Sequence, residues 1–136
     1  QWSSSAASDV YKRQLTDEGI DFIHLSCWNA FKGSISYRNN SKTLTEWFAT
    51  SLNNPPSIIS TGKVWSSKDA QHLLNQGADL IGVGRAAIGH PDWASQVKNP
   101  NYDPAKPPYS VTELREAMLS DVFIDYMRNW EGFVSD

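Results

Sequence analysis

Short, nearly continuous apolar runs alternate along this chain with longer amphipathic stretches. The runs are GIDFIHLS at 19–26, SIIST at 57–61 and ADLIGVG at 78–84. Continuous apolar character is typical of parallel strands covered on both faces, whereas apolar residues at spacings of three and four, as between the runs, predict helices. This alternation predicts parallel βαβ units with right-handed crossovers, and therefore an α/β sheet or barrel.

Capping and stop signals bound the two helices between the strands. Ser41 is expected to cap the first helix. The second has Ser66 and Asp69 at the spacing of a capping box, and Gly77 as a stop. The residues expected to face inward are Leu44, Trp47, Phe48 and Leu52 in the first helix and Leu73 and Leu74 in the second.

Two more helical stretches follow a proline-rich connector, NPNYDPAKPPY. Ser110 and Glu113 have the spacing of another capping box, and Ser120 can cap the last stretch. The residues expected to face inward are Leu114 and Met118 in the first stretch and Val122, Phe123, Tyr126 and Met127 in the second. Both stretches are interpreted as packing elements.

The start of the chain has a different character from the rest. The segment SSSAASDVYKRQ at 3–14 is rich in serine and alanine, has no structural period, and is similar to translated sequencing adapter. We therefore predict a non-native leader at 1–14, an α/β part at 15–98, and a connector with a helical tail at 99–136. Three strands alone leave an open edge, so they are expected to belong to a larger sheet.

Composition narrows the classes of partner. The 136 residues are 40% hydrophobic, with a formal net charge of −3 and charges of both signs dispersed along the chain. No basic face favours nucleic acid, and no polybasic or long apolar segment favours a membrane. The single cysteine, Cys27, excludes an internal disulfide and suits a reducing compartment. We expect a cytoplasmic protein whose partner is a small molecule or another protein.

Glycines follow the second and third predicted strands. Gly62 lies in STGKVW, and Gly84 lies in GVGRAAIGHPDW, where Arg85 comes next. Parallel α/β folds bind ligands at the carboxyl ends of strands, where glycine lets backbone N–H groups approach a phosphate and arginine adds a forked cationic donor. The spacing fits a phosphate site. It fits equally well two tight turns with Arg85 on the surface.

The histidines and the cysteine do not predict a metal site or a reactive thiol. His24, His72 and His90 lie far apart in the sequence and at unrelated positions of the predicted elements, so no metal site is predicted. Cys27 has no arranged base beside it in the sequence and is interpreted as an inert thiol.

The joint pattern from 19 to 97 resembles the C-terminal part of the old yellow enzyme family, the FMN-dependent NADH:flavin oxidoreductases and ene-reductases built on a (β/α)8 barrel. The matching pieces are GIDFIHLS at strand six, IISTGKVWSSKDAQHLLNQGADLIGVGRA across strands seven and eight, and HPDW just after. FIDYMRNWEGFVSD at the end is similar to the tail of one bacterial branch. The resemblance implies a truncated (β/α)8 TIM barrel, with about strands 6–8 and their helices in 15–98.

The resemblance also implies FMN as cofactor and assigns residues to it. Gly62 matches the family's glycine that contacts the flavin phosphate after strand seven. Gly84 and Arg85 match the pair that closes on this phosphate after strand eight. Thr61 and Lys63 flank the first glycine and are included in the predicted site, where Lys63 adds a positive charge.

The loop after strand six borders the substrate side of the flavin in the family. Trp28, Asn29 and Phe31 are therefore candidates for the rim of a substrate site, with packing roles left open for all three. The family's residues that hold the isoalloxazine, bind the substrate's electron-withdrawing group and donate the proton come from earlier strands, which do not occur in this sequence. No catalytic residue is assigned.

The implied activity of the intact parent is hydride transfer from NAD(P)H through FMN to an activated alkene or similar acceptor, with this portion inactive alone. One alternative is a non-redox lyase or isomerase barrel that binds a phosphorylated substrate. Another is a non-catalytic interaction module. Its surface would be formed by Trp28, Trp47, Trp65, Trp93 and Trp130. An open apolar edge also predicts self-association, and a homo-oligomer is included among the expected partners.

Overall fold

The computed structural model describes residues 14, 16–33, 41–51 and 55–135. The predicted leader, apart from residue 14, lies outside the described residues, as does Leu52. The described chain divides into two compact units. The first comprises the residues up to Lys63 together with Gln71–Gly82, and the second comprises Val64–Ala70 and the residues from Val83 onward. The domain boundary expected after residue 98 stays a prediction.

Three parallel strands form the main sheet of the first unit, in the order β1-β2-β3. They are β1 (Phe22–Ser26), β2 (Ser57–Thr61) and β3 (Leu80–Gly82), and the intervening helices are α1 (Leu44–Ser51) and α2 (Ser67–Asn75). The predicted α/β class with parallel strands is confirmed, and the described strands form an open sheet. β1 begins later than its apolar run because Gly19, with φ +72°, completes a turn before it.

The remaining elements are short. They are α3 (Arg85–Gly89), α4 (Trp93–Gln96), β4 (Tyr109–Ser110), α5 (Val111–Glu116), α6 (Asp121–Met127) and β5 (Val134–Ser135). β4 and β5 pair in parallel within the second unit. No helix in the described part of the chain has both the length and the hydropathy of a bilayer span.

The two faces of the main sheet differ in burial. Ile58 and Leu25 are buried on one face, while Phe22 and Leu80 on the other are each 55% exposed. Successive residues of a strand point to opposite faces, so the sheet has one covered face and one open face in the described residues. The expectation that both faces are covered is wrong for this part of the chain, because α1 packs against only one side of β2.

A pair of buried hydroxyl groups lies between α1 and β2. Thr45 and Ser60 are both fully buried, and their Oγ1 and Oγ atoms are 2.8 Å apart. Leu44, which was expected to face inward, is 42% exposed, and Trp47 and Phe48 are only partly buried. The predicted stripe is therefore wrong for Leu44, because the helix is rotated to bring Thr45 onto Ser60.

The caps of the first two helices illustrate how local spacing sets helix starts. Thr43, not Ser41, caps α1: the Thr43 N–H donates to Glu46 Oε2 at 2.7 Å, and Thr43 Oγ1 accepts from the Glu46 N–H at 3.3 Å. The predicted box at α2 is confirmed, since Ser66 Oγ accepts from the Asp69 N–H at 3.1 Å and the Ser66 N–H donates to Asp69 Oδ2 at 2.9 Å.

The end of α2 also follows its predicted signal. Gly77 adopts a φ of +100°, which favours glycine, and a Cβ there would lie 2.5 Å from the Ala49 Cβ. Leu73 is fully buried as expected. Leu74, which was also expected to face inward, is 41% exposed because it lies one residue around the helix from Leu73.

The second unit has its own apolar core, formed by Tyr109, Leu114, Ile124, Met127 and Phe133. The Ser110–Glu113 box and the Ser120 cap are present as predicted. Met118 is 88% exposed, with a φ of +65°, so its predicted inward position is wrong because the chain leaves the helix there. The predicted apolar side of α6 is also wrong in part. Its exposed members are Val122, Phe123 and Tyr126.

The buried hydroxyl pair gives a prediction for stability. Thr45→Val keeps the side-chain shape but leaves the Ser60 hydroxyl without its partner, so the free energy of unfolding is expected to fall by about 1–3 kcal/mol. The double variant Thr45→Val/Ser60→Ala removes both groups and is expected to recover most of that loss. Urea denaturation followed by circular dichroism measures both, with Thr112→Val on an exposed helical position as the matched control. The pairing would be contradicted if the double variant lost as much free energy of unfolding as Thr45→Val and Ser60→Ala lose when their separate losses are added.

The capping box of α5 gives a prediction for pH dependence. The backbone N–H and hydroxyl of Ser110 both donate to Glu113 Oε2 at 2.7 Å, and these bonds lower the pKa of Glu113. The carboxylate contribution to stability is therefore present above the ordinary glutamate pKa of about 4.3 and is lost as pH falls through the lower folded value. Carboxyl 13C NMR measures this pKa directly, and Ser110→Ala is expected to raise it. Glu116→Gln changes a charge on the same helix outside the capping box and is expected to leave the pKa of Glu113 unchanged.

Candidate functional site

The first predicted phosphate loop begins at the last residue of β2. Thr61 is partly buried, Gly62 is buried, and Lys63 is exposed. Gly62 and Lys63 have φ values of +148° and +58°. The second value places a lysine in the left-handed region, which costs a residue with a Cβ about 1–2 kcal/mol. Strain of this kind at the carboxyl end of a strand is a feature of functional loops.

Close backbone packing explains the glycine at position 62. A Cβ there would overlap the Cys27 carbonyl oxygen and lie 2.9 Å from the Ala30 nitrogen. The Ala30 N–H donates to the Gly62 carbonyl at 3.2 Å, and the Cys27 N–H donates to the Thr61 carbonyl at 2.8 Å. The loop after β1 therefore lies directly against the loop after β2, and glycine is needed there with or without a phosphate.

Thr61 connects all three strands of the main sheet. Its Oγ1 lies 2.8 Å from Nε2 of His24 in β1. Gly82 of β3 is its Cα partner, and a Cβ at Gly82 would collide with Thr61 Oγ1. Sequence analysis missed this role of His24. The available signal was a polar residue on the same strand face as Ser26, near the carboxyl end of an apolar strand.

The predicted rim residues have different environments. Trp28 is 83% exposed. Asn29 Oδ1 accepts a hydrogen bond from the Phe31 N–H at 3.0 Å, and the Phe31 ring centroid lies 5.3 Å from that of His72. Asn29 and Phe31 thus have structural contacts that shape the loop, and the Trp28 side chain is largely exposed. Roles for these residues at a substrate rim stay predictions.

The second predicted phosphate segment belongs to the second unit. Gly84 immediately precedes α3, which Arg85 begins, and both residues are exposed. A Cβ at Gly84 would meet nothing within 4 Å in the described residues, and its φ is −113°. Packing and positive φ, which explain Gly62, therefore do not explain Gly84. Gly84 is thus an exposed glycine that directly precedes an exposed arginine.

The other reactive groups have local partners. Burial raises the pKa of the Cys27 thiol, which reduces its thiolate fraction near neutral pH, as the inert interpretation requires. His72 contacts Phe31, and His90 Nε2 lies 2.9 Å from the Ala105 carbonyl oxygen. The described residues contain no group of three His, Cys, Asp or Glu side chains that fits a metal ion.

The tryptophan surface of the interaction hypothesis loses one of its members. Trp93 is 5% exposed, and its indole N–H donates to the Trp65 carbonyl at 2.7 Å. This residue of the HPDW motif is therefore a core residue of the second unit. Its burial does not favour a surface made of all five tryptophans.

Comparison with known proteins gives relatives of one kind. No family model matches the chain. It is 33% identical over 88 residues to the NADH:fumarate oxidoreductase of Klebsiella pneumoniae (strain 342) and 28% identical over 90 residues to the NADH:acrylate oxidoreductase of Vibrio harveyi. It is also 24% identical over 84 residues to a probable NADH-dependent flavin oxidoreductase of Bacillus subtilis (strain 168).

These similarities cover 62%, 63% and 62% of this chain, but only 9%, 9% and 23% of the respective relatives. The chain therefore spans less than a quarter of each relative's length. The predicted resemblance is confirmed: over more than half of its residues, this chain is similar to NADH-dependent flavin oxidoreductases and related NADH oxidoreductases, consistent with a portion of an old yellow enzyme family protein.

Proposed function

We propose that this chain is a portion of an FMN-dependent oxidoreductase of the old yellow enzyme type, and that it contributes the residues that bind the flavin phosphate. The similarity to NADH-dependent oxidoreductases, one of them a flavin oxidoreductase by name, supports the class. The observation that carries the site is Gly84, whose backbone is open and which directly precedes an exposed arginine. FMN, when bound, would supply hydride transfer from NAD(P)H to an activated alkene or similar acceptor.

The residues proposed to hold the phosphate have distinct tasks. Thr61 supplies a hydroxyl donor, and Gly62 gives the loop after β2 its close path along the loop after β1. Lys63 adds a positive charge from the same loop. Gly84 leaves backbone N–H groups accessible, and Arg85 adds a planar cation with forked donors. Binding and orientation of the phosphate are the contributions proposed for these residues.

The proposed architecture is the final part of a (β/α)8 barrel, with β1, β2 and β3 as strands six to eight. The open sheet face supports this assignment, since Phe22 and Leu80 expose apolar surface that further strands of a barrel would cover. We further propose residues 15–98 as the barrel portion, 99–136 as a tail and 1–14 as a non-native leader. Exposed apolar surface at the sheet also supports self-association of this portion.

Chemistry on the substrate is proposed to need residues outside this chain. Trp28 is the rim candidate with the most accessible side chain, at 83% exposed. No described residue is assigned as proton donor or as a partner of the substrate's electron-withdrawing group. The portion alone is therefore expected to bind a flavin phosphate without oxidising NADH or NADPH at a measurable rate. The single cysteine favours a reducing compartment, and the cytoplasm is the proposed location.

Removing the Arg85 guanidinium tests the proposed site. Arg85→Ala is expected to weaken FMN binding about tenfold, because it removes a charge-assisted pair with the phosphate, toward the weaker binding expected of riboflavin, which lacks the phosphate. Quenching of flavin fluorescence on titration with protein measures both affinities. Lys98→Ala removes an exposed cation of the same unit and serves as the matched control. Equal losses of FMN affinity in the two variants would show that the effect comes from net charge and not from Arg85 at a specific site. A wild-type chain that binds no flavin would overturn the proposed function.

Variants of Lys63 distinguish its effect on FMN affinity from its effect on the stability of the fold. Lys63→Gly removes the positive charge and also the Cβ that disfavours a φ of +58°, so FMN affinity is expected to fall while the free energy of unfolding rises by about 1 kcal/mol. Lys63→Arg keeps both charge and Cβ and is expected to stay near wild type in both quantities. Flavin titration and urea denaturation supply the two measurements. An unchanged FMN affinity in Lys63→Gly would remove Lys63 from the site.

A further inference from the structure

A hydrogen-bonded histidine and threonine lie near the carboxyl end of the open sheet face. The sheet register places His24 of β1 opposite Ile59 of β2, so Thr61 lies two residues further along the same face. The His24 Nε2 and Thr61 Oγ1 atoms are 2.8 Å apart. His24 is exposed and Thr61 is partly buried. The backbones of two paired strands therefore hold this pair in place.

The third strand makes room for the same hydroxyl. Gly82 is the Cα partner of Thr61, and any Cβ at that position would collide with Thr61 Oγ1. The φ of Gly82 lies outside the left-handed region, so the requirement for glycine is steric. His24 on β1 thus hydrogen-bonds the Thr61 hydroxyl, and Gly82 on β3 leaves the space that this hydroxyl occupies.

We propose that His24 is a positioning residue for the phosphate site. Its Nε2–H donates a hydrogen bond to Thr61 Oγ1. The Thr61 hydroxyl then donates a hydrogen bond to a phosphate oxygen of the flavin. This inference rests on the proposed function, since it takes the phosphate as the ligand of the loop after β2. A hydroxyl oxygen that accepts one hydrogen bond is a stronger donor in the next, because the two bonds polarise each other.

The direction of the His24–Thr61 bond decides the role of the hydroxyl. A Thr61 hydroxyl that donated to an unprotonated Nε2 would have no proton left for a phosphate. With the proton on Nε2, histidine is the donor and the hydroxyl proton stays free to rotate toward a ligand. The tautomer of His24 is therefore a property of the flavin-free chain that tests the inference directly.

The first measurement is the imidazole tautomer in the complete 136-residue chain without flavin. Long-range 1H–15N correlation spectra distinguish Nε2–H from Nδ1–H, and His24→Gln assigns the signals by removing one set. We expect His24 as the Nε2–H tautomer, with its nitrogen shifts altered in Thr61→Val. An Nδ1–H tautomer with unprotonated Nε2 would overturn the inference, whatever the flavin affinity.

The second measurement compares FMN with riboflavin, which lacks the phosphate. His24→Leu and Thr61→Val are each expected to lower FMN affinity about tenfold, toward the weaker affinity expected of riboflavin, and to leave the circular dichroism spectrum of the chain unchanged. Thr61→Ser keeps the hydroxyl, and His24→Gln keeps an N–H donor, so both are expected to stay within about threefold of wild type. The double variant His24→Leu/Thr61→Val is expected to bind FMN no more weakly than Thr61→Val, because His24 acts through Thr61.

A structural role and a failed function give different results. A loss of FMN affinity that is accompanied by a loss of the native circular dichroism spectrum would indicate a general effect on the fold and would overturn the inference. FMN binding that neither His24→Leu nor Thr61→Val weakens would overturn it while leaving the proposed function in place. A wild-type chain that binds neither FMN nor riboflavin would overturn the proposed function and this inference together.

Discussion

The register of β2 between its two neighbours is the constraint on which the first unit depends. On the β3 side, Asp79 fixes it with two bonds to one residue: the Ile58 N–H donates to Asp79 Oδ2 at 2.8 Å, and the Asp79 N–H donates to the Ile58 carbonyl at 2.9 Å. A slip of one residue would exchange the two faces of a strand. Ile58 would then leave the buried face, and Thr61 would leave the open one.

The same register gives neighbouring residues of β2 opposite tasks. Ser60 faces the covered side, where its hydroxyl meets Thr45, and Thr61 faces the open side, where its hydroxyl meets His24. A buried hydroxyl needs a protein partner because water cannot reach it, whereas a hydroxyl on the open face is also available to a ligand. Two similar side chains one position apart thus differ in function because the strand alternates.

Sequence analysis succeeded where the signal is local. β2 has its predicted bounds, and the Ser110–Glu113 box depends only on residues three apart. It failed where tertiary packing chooses the face of a helix. Leu44 is more apolar than Thr45, but a hydroxyl on the facing strand makes Thr45 the buried residue. The contact of His24 with Thr61 joins residues 37 positions apart and follows from the sheet register, which periodicity does not reveal.

The two glycines that were predicted to serve one purpose differ physically. Gly62 is required by its own neighbours, since the backbone of Cys27 occupies the space of a side chain. Gly84 has open space around it in the described residues, so its backbone is the accessible feature. A site built this way would use strand ends to fix the positions of donors, because paired strands are rigid, and it would take its charge from Lys63 after β2 and from Arg85 at the start of α3. Phosphate binding of this kind needs few side chains. The proposed site would therefore depend mainly on where the strands end, and less on the number of side chains.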